Sequence, residues 1–185
     1  MPESIDFEWR TFDNVRQGTI DGILALEKFE EKSLTDRYVM CGQDNINIKL
    51  LPSGIKIKEL LEKRNGIEKW LSYYLSFPVD VKDFSEKAKL TVACEKQSIV
   101  YDDLIERILD KIVEIEKIRF MRIFRPSPSG IIGVDVNYIR MFHREFASVG
   151  IEGKSQDMVS DALEKLGLKR YSPKNYAEFL RGEIK

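Results

Sequence analysis

The chain has 185 residues, of which 43% are hydrophobic and 33% charged, so it is long enough to bury a core, and we expect one domain over residues 1–185. A formal net charge of −1 excludes a general basic surface for nucleic acid or an anionic membrane, so any anion site must be local. We also expect no membrane-spanning helix and no secretion signal, because no apolar run reaches ~18 residues and the first residues lack a signal pattern.

The first half of the chain predicts strands with one helix between them. Alternation of apolar and polar residues predicts strands over residues 5–12, 35–40, 46–51, 55–60 and 70–77. An apolar stripe that includes Ile20 and Ile23 predicts a helix after the first strand, although Gly18 and Gly22 weaken it. Pro52-Ser53-Gly54 predicts a tight hairpin between the third and fourth strands.

The second half predicts helices and a long hairpin. Helical spacing covers residues 80–89 and 101–113, and two strands, 115–125 and 131–142, flank a loop that is rich in proline and serine. A shorter strand, 146–152, precedes an amphipathic helix, 155–166, with Ser155 as its N-cap and Gly167 after its end. A last helix is expected over 174–180. About eight strands with four or five helices indicate an α+β fold with an antiparallel sheet.

The first strand carries an unusual charge pattern. Asp6, Glu8 and Arg10 would share one face, because side chains alternate along a strand, and large apolar residues take the other face. Later strands repeat the alternation with basic residues, in Asn47-Ile48-Lys49, Lys56-Ile57-Lys58 and Lys117-Ile118-Arg119. If these faces converge on one cavity, it holds a few carboxylates among many cations, which suits a metal-bridged polyphosphate.

The same charges are also compatible with an ordinary protein surface. The face with Asp6, Glu8 and Arg10 could be a solvated sheet surface with cross-strand ion pairs. Lys56 and Lys58 could protect an edge strand against pairing with another chain. Cys41 and Cys94 are isolated and lack CxxC spacing, which predicts reduced thiols in a cytoplasmic protein.

Taken in order, these segments resemble the CYTH superfamily of triphosphate tunnel metalloenzymes. Asp6-x-Glu8-x-Arg10 is similar to the family's Glu-x-Glu-x-Lys strand, and Lys117-x-Arg119 to its central Lys-x-Arg strand. Further similar segments are Thr35-Asp36-Arg37-Tyr38, the basic hairpin that contains Lys49 and Lys58, Val134-Asp135-Val136-Asn137, and the C-terminal segments 147–153 and 175–180. The resemblance implies an antiparallel β-barrel or tunnel of about eight strands with flanking helices, whose inward residues bind a triphosphate and a divalent metal.

The chemistry of the residues then suggests a role for each. Carboxylates suit Mg²⁺ or Mn²⁺, and the expected metal ligands are Asp6, Glu8, Asp135 and Glu152. Cations suit phosphate oxygens, and the expected substrate-binding residues are Arg10, Lys49, Lys56 and Arg119. Lys58 and Lys117 are the expected catalytic residues, because a lysine of lowered pKa among other cations could assist a metal-activated water.

The leading functional prediction is a phosphoric anhydride hydrolase, a metal-dependent triphosphatase that acts on a small-molecule triphosphate or polyphosphate. Several residues depart from the family pattern: Asp6 is shorter than glutamate, Arg10 replaces lysine, and Asn47 and Asn137 are neutral. One alternative is therefore a catalytically inactive CYTH-like module that binds a phosphorylated ligand. Another is a protein-interaction domain that uses the aromatic strand 70–77 and the C-terminal helix. We expect neither nucleic acid nor membrane as a partner.

Overall fold

The computed structural model describes residues 4–12, 15–26, 28–127 and 130–184. Eight antiparallel strands of these residues close into a barrel in the order β1-β10-β9-β8-β2-β3-β4-β5. In chain order the strands are β1 (Ser4–Phe12), β2 (Glu30–Val39), β3 (Ile46–Leu51), β4 (Gly54–Arg64), β5 (Ile67–Ser76), β6 (Val79–Asp80), β7 (Ser98–Ile99), β8 (Ile112–Ser127), β9 (Gly130–Met141) and β10 (Arg144–Gly153). The short strands β6 and β7 pair with each other outside the barrel.

Within the described residues, five helices flank the barrel: α1 (Gln17–Leu26), α2 (Val81–Ala88), α3 (Tyr101–Ile108), α4 (Gln156–Lys165) and α5 (Tyr176–Glu183). The predicted α+β barrel is therefore confirmed. The helix predicted over 101–113 is too long, since α3 ends at Ile108 and a 3₁₀ turn, Leu109–Lys111, leads into β8. In the proline- and serine-rich loop between β8 and β9, residues 128 and 129 lie outside the described residues.

The apolar core lies mainly outside the barrel. α2 and α3 pack Phe84 and Leu104 against the outward side chains of β3, β4 and β5. On another side, α1 and α4 pack Ile23 and Val159 against the outward side chains of β1, β9 and β10. Because the outward faces supply so much of the core, the inward faces are free to carry polar residues. No helix within the described residues has the length and apolar character needed to cross a membrane.

α5 closes one end of the barrel. Phe179 stacks on Phe12 at the end of β1 with ring centroids 4.0 Å apart, and Tyr176 stacks on Tyr38 of β2 at 5.1 Å. These rings belong to an apolar cluster with inward residues from the same end of β8, β9 and β10. The barrel interior is therefore a polar pocket with an aromatic base.

A capping box attaches α5 to the barrel. The Asn175 Oδ1 atom accepts a hydrogen bond from the Glu178 backbone N–H (2.9 Å), and the Glu178 side chain accepts one from the Asn175 N–H (3.0 Å). The Asn175 Nδ2 atom also donates to the buried carboxylate of Glu68 on β5 (3.2 Å), which Lys63 neutralises at 2.8 Å. One side chain thus both starts the helix and holds it against the barrel.

Replacing Asn175 by alanine tests this attachment. We expect the free energy of unfolding to fall by about 2–3 kcal/mol, because the variant loses a helix cap of about 1 kcal/mol and a hydrogen bond to a charged group. The control is Ser155→Ala, which removes the cap of α4 alone and should cost about 1 kcal/mol. Equal losses in urea unfolding would mean that the Glu68 bond contributes nothing.

Candidate functional site

The interior pocket brings together nine of the ten residues that the sequence predicts for the site. Its cavity of about 140 Å³ lies among residues of β1, β2, β3, β4, β8, β9, β10 and α5. The lining residues are Glu8, Arg10, Tyr38, Asn47, Lys49, Lys56, Lys58, Lys117, Arg119, Asp135, Asn137, Glu152 and Tyr176. Of the predicted residues only Asp6 lies elsewhere.

Strand alternation and cross-strand register explain this convergence. Residues that are direct partners on neighbouring strands point to the same side of the sheet. Glu8 on β1 is the partner of Glu152 on β10, and Lys49 on β3 is the partner of Lys56 on β4. Because the sheet is closed, the inward-facing side chains of its strands share one interior.

Asp135 anchors two arginines. The Arg10 guanidinium donates to both of its carboxylate oxygens (Nη1–Oδ1 2.8 Å and Nη2–Oδ2 2.9 Å), and Arg119 Nη2 donates to Oδ2 at 3.0 Å. Asn137 Nδ2 adds a bond to Oδ1 at 2.9 Å. Burial raises the pKa of Asp135, but Arg10, Arg119 and Lys117 outweigh it and hold that pKa well below its usual value. The carboxylate predicted as a metal ligand thus has both oxygens engaged by donors.

Gly150 makes room for this cluster. A Cβ atom at this position would lie 2.3 Å from Arg10 Nη2 and 2.7 Å from Asp135 Oδ1. Gly150 is the register partner of both Arg10 on β1 and Asp135 on β9. The absence of a side chain on β10 therefore lets the guanidinium cross the strand and reach the carboxylate.

Asp36 anchors two lysines in the same way, and its role was not predicted from the sequence. Its carboxylate, 5% exposed, forms ion pairs with Lys49 and with Lys117. Burial lowers the pKa of Lys49 below its usual value, and the nearby Lys117 and Arg119 add to this although Asp36 opposes it. The available signal was the resemblance of Thr35-Asp36-Arg37-Tyr38 to a CYTH strand, which did not indicate the partners of Asp36.

Two aromatic rings complete the base of the pocket. Arg10 and Lys117 both lie over the Tyr176 ring, at 5.0 and 5.3 Å from its centroid. Tyr38 and Tyr176 were also not predicted as site residues, because their proximity depends on α5 folding back onto the end of the barrel.

Lys58 and Lys56 differ in their pairing. Lys58 forms an ion pair with Glu8 and lies 3.8 Å from Glu152. Lys56 makes no ion pair with any residue that the structure describes, although it lines the same cavity. Lys56 is therefore available for an external anion without breaking an internal contact.

Glu8 and Glu152 fit a divalent metal better than the other predicted ligands do. They are register partners that face the same cavity, and Glu152 is 48% exposed. Within the described residues, no three or more His, Cys, Asp or Glu side chains cluster as a metal site. Mg²⁺ commonly uses only one or two carboxylates together with substrate phosphates and water, so this pair is compatible with Mg²⁺.

Asp6 lies at the open end of the barrel. It pairs with Lys154, just beyond β10, and borders a second cavity rather than the first. Burial raises the pKa of Asp6, but contacts with Lys154 and Ser4 outweigh this effect and lower it. The prediction that Asp6 binds metal stays a prediction, and its ion-pair partner is Lys154, whereas that of Glu8 is Lys58.

Several polar atoms around the cavity are left without partners. Arg119 Nε, Asn137 Oδ1 and the Tyr176 hydroxyl are buried and have no hydrogen-bond partner among the described residues. Buried polar groups are costly unless they are hydrogen-bonded. Together with Lys56, these atoms suit a polar ligand that supplies both acceptors and donors.

Comparison with known proteins shows the fold. No protein-family model matches the chain, and neither does any curated protein. Among solved structures it is similar to a "putative adenylate cyclase" from Bacillus halodurans, with a TM-score of 0.50 and 12% identity over 95% of this chain and 97% of that one. This similarity and the closed eight-stranded barrel confirm the predicted antiparallel barrel fold.

Two further solved structures are less similar. One is an adenylyl cyclase-like protein from Hippeastrum, described with a dominant triphosphatase activity, with a TM-score of 0.49 and 10% identity over 97% of this chain and 95% of that one. The other is the triphosphatase of the Mimivirus capping enzyme, with a TM-score of 0.46 and 11% identity over 89% of each chain.

The Asp135 cluster makes stability depend on pH. Because the pKa of Asp135 is lowered on folding, its contribution is present above the unfolded pKa of about 3.9 and is lost as pH falls towards the folded pKa. We expect Asp135→Asn to cost about 3 kcal/mol at pH 7, since it leaves two arginines without their counter-charge. The difference in the free energy of unfolding between wild type and Asp135→Asn should shrink below about pH 5. Urea unfolding at several pH values measures it, and a constant difference down to about pH 3 would show that the charge of Asp135 does not stabilise the fold.

Gly150→Ala tests the space that the cluster needs. The new methyl group must displace Arg10 or Asp135, and we expect a loss of about 1–3 kcal/mol from overpacking. The control is Gly22→Ala at an exposed position of α1, where a Cβ atom meets nothing within 4 Å. This change should raise the free energy of unfolding by about 0.5–1 kcal/mol. A Gly150→Ala variant as stable as wild type would show that the arginine can leave its carboxylate at no cost.

Proposed function

We propose that the interior pocket binds a triphosphate-containing small molecule and hydrolyses it with the help of Mg²⁺ or Mn²⁺. The observation that supports this most is the concentration of six cationic side chains in one cavity: Arg10, Lys49, Lys56, Lys58, Lys117 and Arg119. Against them stand the carboxylates of Glu8, Asp135 and Glu152 in the lining and of Asp36 behind it. A polyanion would balance the excess of positive charge.

The two arginines provide an oriented part of the phosphate site. Asp135 holds both guanidinium groups in place, which lowers the cost of arranging them around a ligand. Arg119 is 32% exposed, and its Nε has no partner among the described residues. It therefore retains donors for a phosphate oxygen.

The lysines provide the adjustable part. Lys56 can bind phosphate directly, whereas Lys58 must exchange its carboxylate partner Glu8 for a phosphate oxygen. That exchange would free Glu8, which with Glu152 would hold the metal ion. The bound ion would neutralise phosphate charge and lower the pKa of a coordinated water.

Lysine roles in the chemical step follow from their surroundings. Lys58 and Lys117 remain the proposed catalytic residues, but as charges that stabilise the developing negative charge on phosphate oxygens rather than as assistants to a metal-activated water. Lys49 is a candidate acceptor for a proton, because burial and the neighbouring cations lower its pKa. This assignment would make Asp36 a positioning residue for both Lys49 and Lys117.

Binding without hydrolysis is the second candidate function. It is favoured by the complete engagement of the Asp135 carboxylate with Arg10, Arg119 and Asn137, which leaves fewer oxygens for a metal. In that case the pocket would bind a phosphorylated ligand without cleaving it. The arginines that pair with Asp135 would contact its phosphate groups.

Calorimetry and phosphate release separate these functions. Wild type is titrated with tripolyphosphate, thiamine triphosphate and ATP in millimolar Mg²⁺ or Mn²⁺, and phosphate release is followed in parallel. We expect Lys58→Ala and Lys117→Ala each to weaken binding by about 1.5–3 kcal/mol, the usual contribution of a hydrogen bond to a charged group. Glu8→Gln should retain binding better than hydrolysis, and Lys82→Ala at an exposed position of α2 is the control.

Each result selects one function. Metal-dependent phosphate release supports the hydrolase, and tight binding without release supports the binding module. If no triphosphate binds, or if the pocket variants bind as wild type does, the proposed phosphate site is wrong.

A further inference from the structure

Lys58 contacts the two carboxylates that fit a divalent metal best. Its ammonium group forms an ion pair with Glu8, and its Nζ atom lies 3.8 Å from Glu152 Oε2. A metal ion bound by Glu8 and Glu152 would need the carboxylate oxygens that Lys58 now neutralises. Lys58 and a metal ion would therefore compete for the same two side chains.

The Lys58–Glu8 pair has no substitute on the neighbouring strands. Lys58 is the cross-strand partner of Asn47 on β3 and of Ser72 on β5, and both of these residues are neutral. Within the part of the chain that the structure describes, Glu8 forms no ion pair except the one with Lys58. Asp36 differs, because it pairs with two lysines and keeps one when the other leaves. Withdrawal of Lys58 therefore leaves Glu8 without a counter-charge.

Water can compensate little for the loss of this pair. The side chains of Lys58 and Glu8 are only 12% and 20% exposed, and a shielded charge that loses its partner is costly. A metal ion alone would have to displace Lys58, and a triphosphate alone would have to withdraw it from Glu8. When both bind, Lys58 pairs with phosphate and Glu8 pairs with the metal, so that no charge is left unbalanced.

We propose that Lys58 is an internal counter-ion that blocks the metal position until a triphosphate withdraws it, so that metal and triphosphate bind with positive cooperativity. This inference rests on the proposed function and adds how the same site is regulated. Coupling between two ligands is reciprocal, so each raises the affinity for the other by the same factor. Lys56 lines the same cavity without a carboxylate partner among the described residues. It therefore supplies charge to the site but does not block a metal ligand.

The first test measures metal binding without phosphate. Mn²⁺ is titrated into wild type, Lys58→Met and Lys56→Met, and free Mn²⁺ is followed by its electron paramagnetic resonance signal. We expect Lys58→Met to bind Mn²⁺ at least about tenfold more tightly than wild type, because Glu8 has lost its cation. Lys56→Met is the matched control, since it removes the same charge from the same cavity but releases no carboxylate. It should change the Mn²⁺ affinity by less than about threefold.

The second test measures phosphate binding without metal. Tripolyphosphate is titrated calorimetrically, in the presence of EDTA, into wild type, Glu8→Gln and Glu152→Gln. We expect Glu8→Gln to bind tripolyphosphate at least about tenfold more tightly than wild type, because Lys58 no longer has to leave a carboxylate. Glu152→Gln removes the same charge from a residue that lies farther from Lys58, and its gain should stay below about threefold.

Both gains are required for the inference. It is overturned if either gain is absent, or if a control variant gains as much as its test variant, since the effect would then reflect only the net charge of the cavity. Urea unfolding checks that each variant folds. If Lys58→Met does not, Lys58→Gln replaces it, because glutamine is neutral and can still donate to Glu8, and its Mn²⁺ affinity should also rise. Wild type is also titrated with tripolyphosphate in Mg²⁺, and absence of binding there would overturn the proposed function together with the inference.

Discussion

The structure depends on placing paired charges inside a closed barrel. An eight-stranded barrel has an interior just wide enough for side chains to fill, and here much of that space holds ionised groups. Removing an ion from water costs several kcal/mol unless a partner and hydrogen bonds compensate. Asp135 and Asp36 meet this requirement, because each carboxylate binds two cations from other strands. The apolar core that another barrel would keep inside lies between the strands and the outer helices.

The two carboxylates organise two kinds of cation. Asp135 holds guanidinium groups, whose planar geometry allows two parallel hydrogen bonds and fixes their orientation. Asp36 holds ammonium groups, which act as compact charges on flexible chains and change partners more easily. The pocket therefore combines a rigid side formed by arginines with an adaptable side formed by lysines. A ligand with several phosphates would bind the arginine side without rearrangement. On the lysine side it would compete with Asp36 and Glu8 for every lysine except Lys56.

Local sequence patterns predicted which residues face inward, but not which strands meet. Alternation along β1, β3, β4 and β8 placed charged residues on one face because side-chain direction in a strand has a fixed period of two. The pairing of β2 with β8, across a long stretch of chain, has no local signal. Asp36 and Tyr176 were missed for that reason, since their partners come from distant elements. The predicted helix 101–113 ran too far because Ile112 and Val113 fit an apolar helical face as well as they fit the start of β8.

Arginine rather than lysine at position 10 changes how the Asp135 carboxylate is engaged. The CYTH pattern that β1 resembles has lysine where this chain has Arg10, and a lysine ammonium would contact one oxygen of Asp135 as a point charge. The guanidinium instead occupies both oxygens, and it reaches them through the space that Gly150 leaves in β10. Arg10, Gly150 and Asp135 therefore form one matched set, in which the carboxylate orients arginines. A metal ion in this pocket would then depend more on Glu8 and Glu152, whose cross-strand pairing keeps them on the cavity wall. A fold that constrains the direction and charge of its inward residues can accept arginine in place of lysine. The similarity to the Bacillus halodurans structure at 12% sequence identity is consistent with this.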